Sequence, residues 1–441
     1  MAARRLRRLC SIGGALVLAA CLSAPPRPSP SVTPPTPSPR AAPTRTPTAA
    51  GPAEPSAEER RRLQQQVSGL RGLDLTAPVA ETILSPEELQ LRLAGDLLTD
   101  APPADEASLF SLLDFVDAAT DLQSLYRSLY VEQVDAVYDS EGERMILAAG
   151  PMWTGGERLR YVHLFTHALQ DQAFQPWTDR RTSDAACRGA DDRCRALAAL
   201  VEGDAALIEE QWLRTYATPQ DLADLAAAAA AQASSVLDSA PIALRDDWRF
   251  AQDRGLEYVR GLYLRDGWAA VDRAYEHPPQ TTEEILHPGV ALRPPVIVDL
   301  GNAAAGMGES WRVVGRGVLG EWLTRLMLST RLEAPEAEAA AAGWGGDGYL
   351  VLHHESDGSD ALVLVTVWDR AFDAYEFVTA MLGHAEARFG PTTGAADGAT
   401  WTWQDGRVRL VRAYLQTLWV IAPSSADAEA LLRSIRFPVS T

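Results

Sequence analysis

The stretch YVHLFTHALQDQAF, residues 161–174, sets two histidines four apart, His163 and His167. At 3.6 residues per turn this spacing predicts both imidazoles on one face of a helix, where one metal ion can take two ligands. The residue after the first histidine is Leu164. In the zinc-site pattern HExxH that position carries the glutamate that removes a proton from metal-bound water, so the metal-binding half of the pattern is present without its acid.

A histidine pair alone is weak evidence in a chain with seven histidines, and its surroundings decide how to read it. The same helix continues as ALQDQ, and 35 residues after His167 the segment ALVEGDAALI carries Glu202 beside a glycine. THALQDQ (166–172) followed by EGDA (202–205) resembles a group of predicted bacterial metallopeptidases with a gluzincin-like domain, whose helix reads HExTHALQDQxF. The likeness extends through PPQTTEEILHP (278–288), LGEWLTRLML (319–328) and GWGGDGYLVL (343–352), and covers about Tyr138 to Glu376.

The resemblance implies one zinc ion held by His163, His167 and Glu202, with Asp171 and Asp204 as acceptors behind the ligand imidazoles. His287, in the loop ILHP, is either an additional site residue or a turn residue set by Pro288. Two departures from the group bear on activity. Leu164 stands at the catalytic acid's position, and Gln252, three residues before Gly255, stands where relatives often carry a tyrosine. Losing a positioned general base lowers a rate by about 10² to 10⁴. The expectation is therefore a pseudopeptidase acting in binding or scaffolding on an unknown protein or peptide ligand. A weakly active zinc peptidase and a purely structural cell-envelope protein are the alternatives.

The start of the chain predicts its compartment. MAARRLRRLCSIGGALVLAAC has a basic beginning and a short apolar run, and ends in Leu18-Ala19-Ala20-Cys21. It reads as a signal peptide over 1–21 and resembles the bacterial lipobox, which implies a lipid anchor on Cys21 at the outer face of the cell membrane. Residues 22–58 are rich in Pro, Ser and Thr, too poor in apolar side chains to offset ordering entropy, and read as a disordered linker. A formal net charge of -19 argues against nucleic acid as a partner. In an exported chain, Cys187 and Cys194 in CRGADDRC are placed to form a local disulfide.

The fold class expected is α+β. A mainly helical zincin-like domain over 59–300, with a small hairpin before the histidine helix, is followed by a small α+β sheet domain over 301–441. Residues 59–135 read as helices throughout, and 296–314 as irregular. The last hundred residues read as strands with helices on one side of a sheet. Trp268 in the helical region and Trp344, Trp368, Trp401 and Trp403 in or beside those strands read as packing residues rather than a glycan-binding face.

Overall fold

A computed structural model describes residues 9–13, 52–97, 104–140, 142–176, 191–231, 235–301, 303–392, 398–403, 406–435 and 437–438. In its first half the elements are β1 (Leu9–Gly13), α1 (Ala57–Arg71), β2 (Ala80–Leu84), α2 (Pro86–Leu97), α3 (Ala104–Leu112), α4 (Leu122–Gln133), β3 (Val134–Asp139), β4 (Arg144–Ala148), α5 (Gly155–Phe174) and α6 (Asp192–Thr215). Four more helices follow, α7 (Pro219–Ala231), α8 (Val236–Ser239), α9 (Ile242–Glu276) and α10 (Thr282–Leu286). The rest comprises β5 (Trp311–Gly317), α11 (Gly320–Ser329), α12 (Ala334–Ala341), β6 (Trp344–His354), β7 (Asp360–Trp368), α13 (Ala371–Phe389), β8 (Gly398–Trp403), β9 (Gly406–Ala413), β10 (Gln416–Ala422) and α14 (Ser425–Ser434). The class is α+β, as expected.

The predicted hairpin is β3 and β4, antiparallel with Tyr138 opposite Met145. It belongs to a four-stranded sheet in the order β1-β3-β4-β2. The sequence reading missed β2, which pairs parallel with β4 from Ala80–Arg144 to Leu84–Ala148. A five-residue strand half-buried on both faces offers no clean alternation, so the helical pattern around it dominated.

Of the expected signal segment only 9–13 is described, as a strand against β3; Cys21 and the linker up to residue 51 lie outside the described residues. The end of the linker is ordered rather than disordered. Ala53 donates its N–H to the Gly150 carbonyl, Pro55 is buried, and α1 begins at Ala57 with Ser56 as its cap. Among the described residues, no helix is long and apolar enough to cross a membrane.

α5 packs against β3, β4, α1 and α6. Its start is fixed by a capping box in which Thr154 and Glu157 satisfy each other's backbone groups. α6 starts at Asp191, whose carboxylate accepts from the N–H groups of Arg193 and Cys194. α9 breaks at Asp266 and Gly267, the latter at φ 58°, where the sequence changes from LYLRDG to WAAVDRAY.

The second sheet is six-stranded and antiparallel in the order β5-β6-β7-β10-β9-β8. Alternation along its strands sends Val351, Leu364 and Trp419 to a face covered by α11 and α13, and Leu352, Val363 and Val420 to a face covered by α14. Helices therefore cover both faces, not one. β5 occupies part of the stretch expected to be irregular, because its Gly315 and Gly317 weaken the strand pattern while the edge of β6 still offers partners. Trp344, Trp368 and Trp401 are core residues, whereas Trp403 is partly exposed. The apolar cluster on the first face also includes side chains of α3, α6 and α9, so a continuous core crosses residue 300.

Candidate metal centre

α5 and α6 bring His163, His167 and Glu202 together. One ligand atom from each lies within 4.8 Å of the others. The two Nε2 atoms are 2.8 Å apart, and the Glu202 carboxylate reaches them at 3.3 and 3.7 Å. A tetrahedral zinc with ligand bonds of about 2.1 Å needs its ligands about 3.4 Å from each other. The 3.3 Å contact is made by Glu202 Oε2 to His163 and the 3.7 Å contact by Oε1 to His167, so a metal that takes one carboxylate oxygen needs that carboxylate to turn and the imidazole pair to open slightly. Two imidazoles and one carboxylate also suit a borderline-soft divalent cation. This buried group could hold a metal ion.

Both imidazoles are without solvent exposure, and Glu202 is 7% exposed. Burial lowers the basicity of His163, but the charges and hydrogen bonds of Glu209 and Glu202 outweigh it and push its pKa up to about 10. His167 is pushed down to about 4 by burial and by the charge on His163, against the pull of Glu202.

The groups behind the imidazoles differ from those expected. His163 Nδ1 meets Glu209 Oε1 at 2.8 Å, and His167 Nδ1 meets Gln170 Oε1 at 2.8 Å. Gln170 also donates to the Val201 carbonyl at 3.1 Å, tying α5 to α6 beside Glu202. Glu209 lies two turns beyond Glu202 on the same helix face, and Gln170 one turn beyond His167. Those spacings were the available signal for both.

Asp171 instead accepts from the Tyr138 hydroxyl at 2.8 Å. Asp204 is fully buried and accepts from Arg71 at 2.9 and 3.1 Å and from the Tyr275 hydroxyl at 2.9 Å. It joins α1, α6 and α9 and serves neither imidazole. His287 is also elsewhere. Its Nε2 faces both oxygens of Glu321 at 2.9 and 3.0 Å, at the start of α11. Cys194 is disulfide-bonded, and Cys187 lies outside the described residues.

Leu164 is fully buried in an apolar cluster with Leu63 and Val67 of α1, Tyr138 of β3 and Met145 of β4. It fills the helix position between the two histidines with core packing. The glycine of EGDA also has a structural reason. A Cβ on Gly203 would lie 2.1 Å from the Gly255 carbonyl oxygen, and one on Gly255 would lie 2.1 Å from the Ala199 oxygen. α6 and α9 therefore cross backbone to backbone next to Glu202.

Residues 311–432 match the model of a domain of unknown function, DUF8575. That match covers the six-stranded sheet with α11 to α13 and most of α14, and leaves the histidine helix outside it. Among curated proteins and among solved structures, nothing matches. Residues 311–432 are thus similar to that domain of unknown function, and the helical region before them carries a buried His-His-Glu group.

Proposed function

We propose that this protein is an exported bacterial lipoprotein anchored through Cys21 at the outer face of the cell membrane. Its helical region is a degenerate gluzincin-like domain that holds one zinc ion at His163, His167 and Glu202 without hydrolysing peptides, and the protein acts in binding or scaffolding. The reading rests above all on Leu164. A residue with no exposed surface, packed among α1, β3 and β4, stands where a peptidase needs a carboxylate beside metal-bound water.

When bound, zinc would supply a fixed positive charge that joins α5 to α6. Glu209 and Gln170 would hold the two imidazoles in the tautomer that presents Nε2 to it. Without a positioned base, a water at the remaining coordination position is not turned into an efficient nucleophile.

A peptidase assay on the zinc-loaded chain tests this reading. The expected result is no hydrolysis above background on casein or on a mixed peptide library. Chelator-sensitive hydrolysis that disappears in His167→Ala would replace the pseudopeptidase with a slow zinc peptidase.

A further inference from the structure

A cavity of about 830 Å3 opens between the first half of α9 and the α11–α12 corner, where the helical region meets the DUF8575 domain. Its charge is unlike that of the rest of the molecule. The whole chain has 59 acidic and 40 basic residues, yet Arg249, Arg254, Arg260, Arg325 and Arg331 all line this one groove.

Four of these five guanidiniums pair with carboxylates that do not line the groove. Arg249 pairs with Asp238, Arg260 with Glu210, Arg325 with Glu338 and Arg331 with Asp114. Only the Arg254–Glu257 pair lies wholly within it. The Arg325 side chain is 13% exposed and that of its partner Glu338 60%, so the cation sits deep and its counter-charge outside. The Arg249–Asp238 and Arg260–Glu210 pairs are exposed on both sides, and ion pairs of that kind contribute little and exchange readily for a better-placed anion, whereas Arg331 is held by the largely buried Asp114 through two hydrogen bonds. Four acids line the groove as well, Asp246, Asp253, Glu257 and Glu333; Asp246 pairs with Arg245, Glu257 with Arg254, and burial pushes Asp253 towards its neutral form.

The floor is aromatic. Phe250 and Trp322 pack with ring centroids 4.5 Å apart, and the Arg325 guanidinium lies 5.8 Å from the Trp322 ring. Burial holds Arg325 below its ordinary basicity, and the like charge of Arg254, from the opposite wall, adds to that effect. Arg254 and Arg325 both line this groove beside its aromatic floor, and an oxyanion held between two such cations offsets their like charge.

We infer that this groove is a binding site for a small anionic ligand whose phosphate or carboxylate bridges Arg254 and Arg325 and whose ring or hydrocarbon body rests towards Phe250 and Trp322. The volume is that of a small-molecule site, and junctions between domains are where such sites concentrate. The site stands apart from the metal centre and does not depend on it.

Calorimetric titration of the full chain with phenyl phosphate, benzoate and inorganic phosphate tests the assignment. The expected result is saturable binding of one phenyl phosphate or one benzoate per chain, at least about tenfold tighter than inorganic phosphate. Whichever aromatic anion binds more tightly identifies the head group as phosphoryl or carboxylate. Arg254→Gln and Arg325→Gln should each weaken binding by about tenfold or more. Arg254 is the surface residue of the two, so its variant reports even if Arg325→Gln folds poorly. Absence of saturable binding by both aromatic anions, or unchanged affinity in Arg254→Gln, would overturn the proposal.

Discussion

Arg71 at the end of α1 and Asp204 in the middle of α6 form an ion pair at 2.9 Å with neither side chain exposed. The guanidinium also reaches Asp272 at 2.8 Å and lies 4.4 Å from the ring of Trp268. Asp204 takes a third hydrogen bond, from Tyr275. Removing Asp204 would leave the buried Arg71 with Asp272 alone and the Tyr275 hydroxyl without its acceptor, so Asp204→Ala should cost about 3 kcal/mol in a denaturant titration. A loss under 1 kcal/mol would show that water reaches the pair.

The groups that hold the imidazoles make a separable prediction. Glu209→Ala and Gln170→Ala should each weaken zinc binding by about 10- to 100-fold, because each removes the acceptor at an Nδ1 atom. Asp171→Asn should leave zinc affinity unchanged, since its partner is Tyr138. A competition titration against a chelating dye reads all three, and a larger effect from Asp171→Asn would reverse the assignment.

Two substitutions probe the packing around the centre. Leu164→Glu puts a carboxylate into the cluster with Leu63 and Met145 and should cost at least about 3 kcal/mol in the metal-free protein. Gly203→Ala forces a methyl against the Gly255 carbonyl and should separate α6 from α9, seen as a clear fall in the thermal midpoint. Stability equal to wild type in either variant would mean that the helices pack less closely than described.

Glu283 gives a prediction in pH. Burial first, then the charges of Glu321 and Asp369, push its pKa up to about 8 from an ordinary 4.5. The folded state thus binds this proton more tightly than the unfolded chain does. The stabilising effect is complete below about pH 4.5 and is lost as pH rises towards 8. Glu283→Gln should match wild type in thermal midpoint near pH 4.5 and exceed it increasingly up to pH 8.5. A constant difference across that range would contradict the assigned shift.

Much of this arrangement was legible in the chain. HLFTH and EGDA contain the three candidate ligands, and helical periodicity located the two helices that bring them together. The groups behind the imidazoles were not legible, because Asp171, Asp204, Gln170 and Glu209 are equally polar in the sequence. Only the rotation of α5 against α6 decides which of them face the centre. β2 was hidden for a related reason: its stability comes from parallel pairing with β4, 64 residues away at each pair, and not from any local pattern. Leu164 could be read as a lost acid from sequence, but its place in a dry cluster could not.

The central claim is that His163, His167 and Glu202 form one metal site. Metal analysis after zinc loading and exhaustive dialysis, run side by side on the wild type and His167→Ala, tests it most directly. The account predicts one zinc per wild-type chain and a clear loss in the variant. Zinc-free wild-type protein, or equal zinc in both, would contradict it.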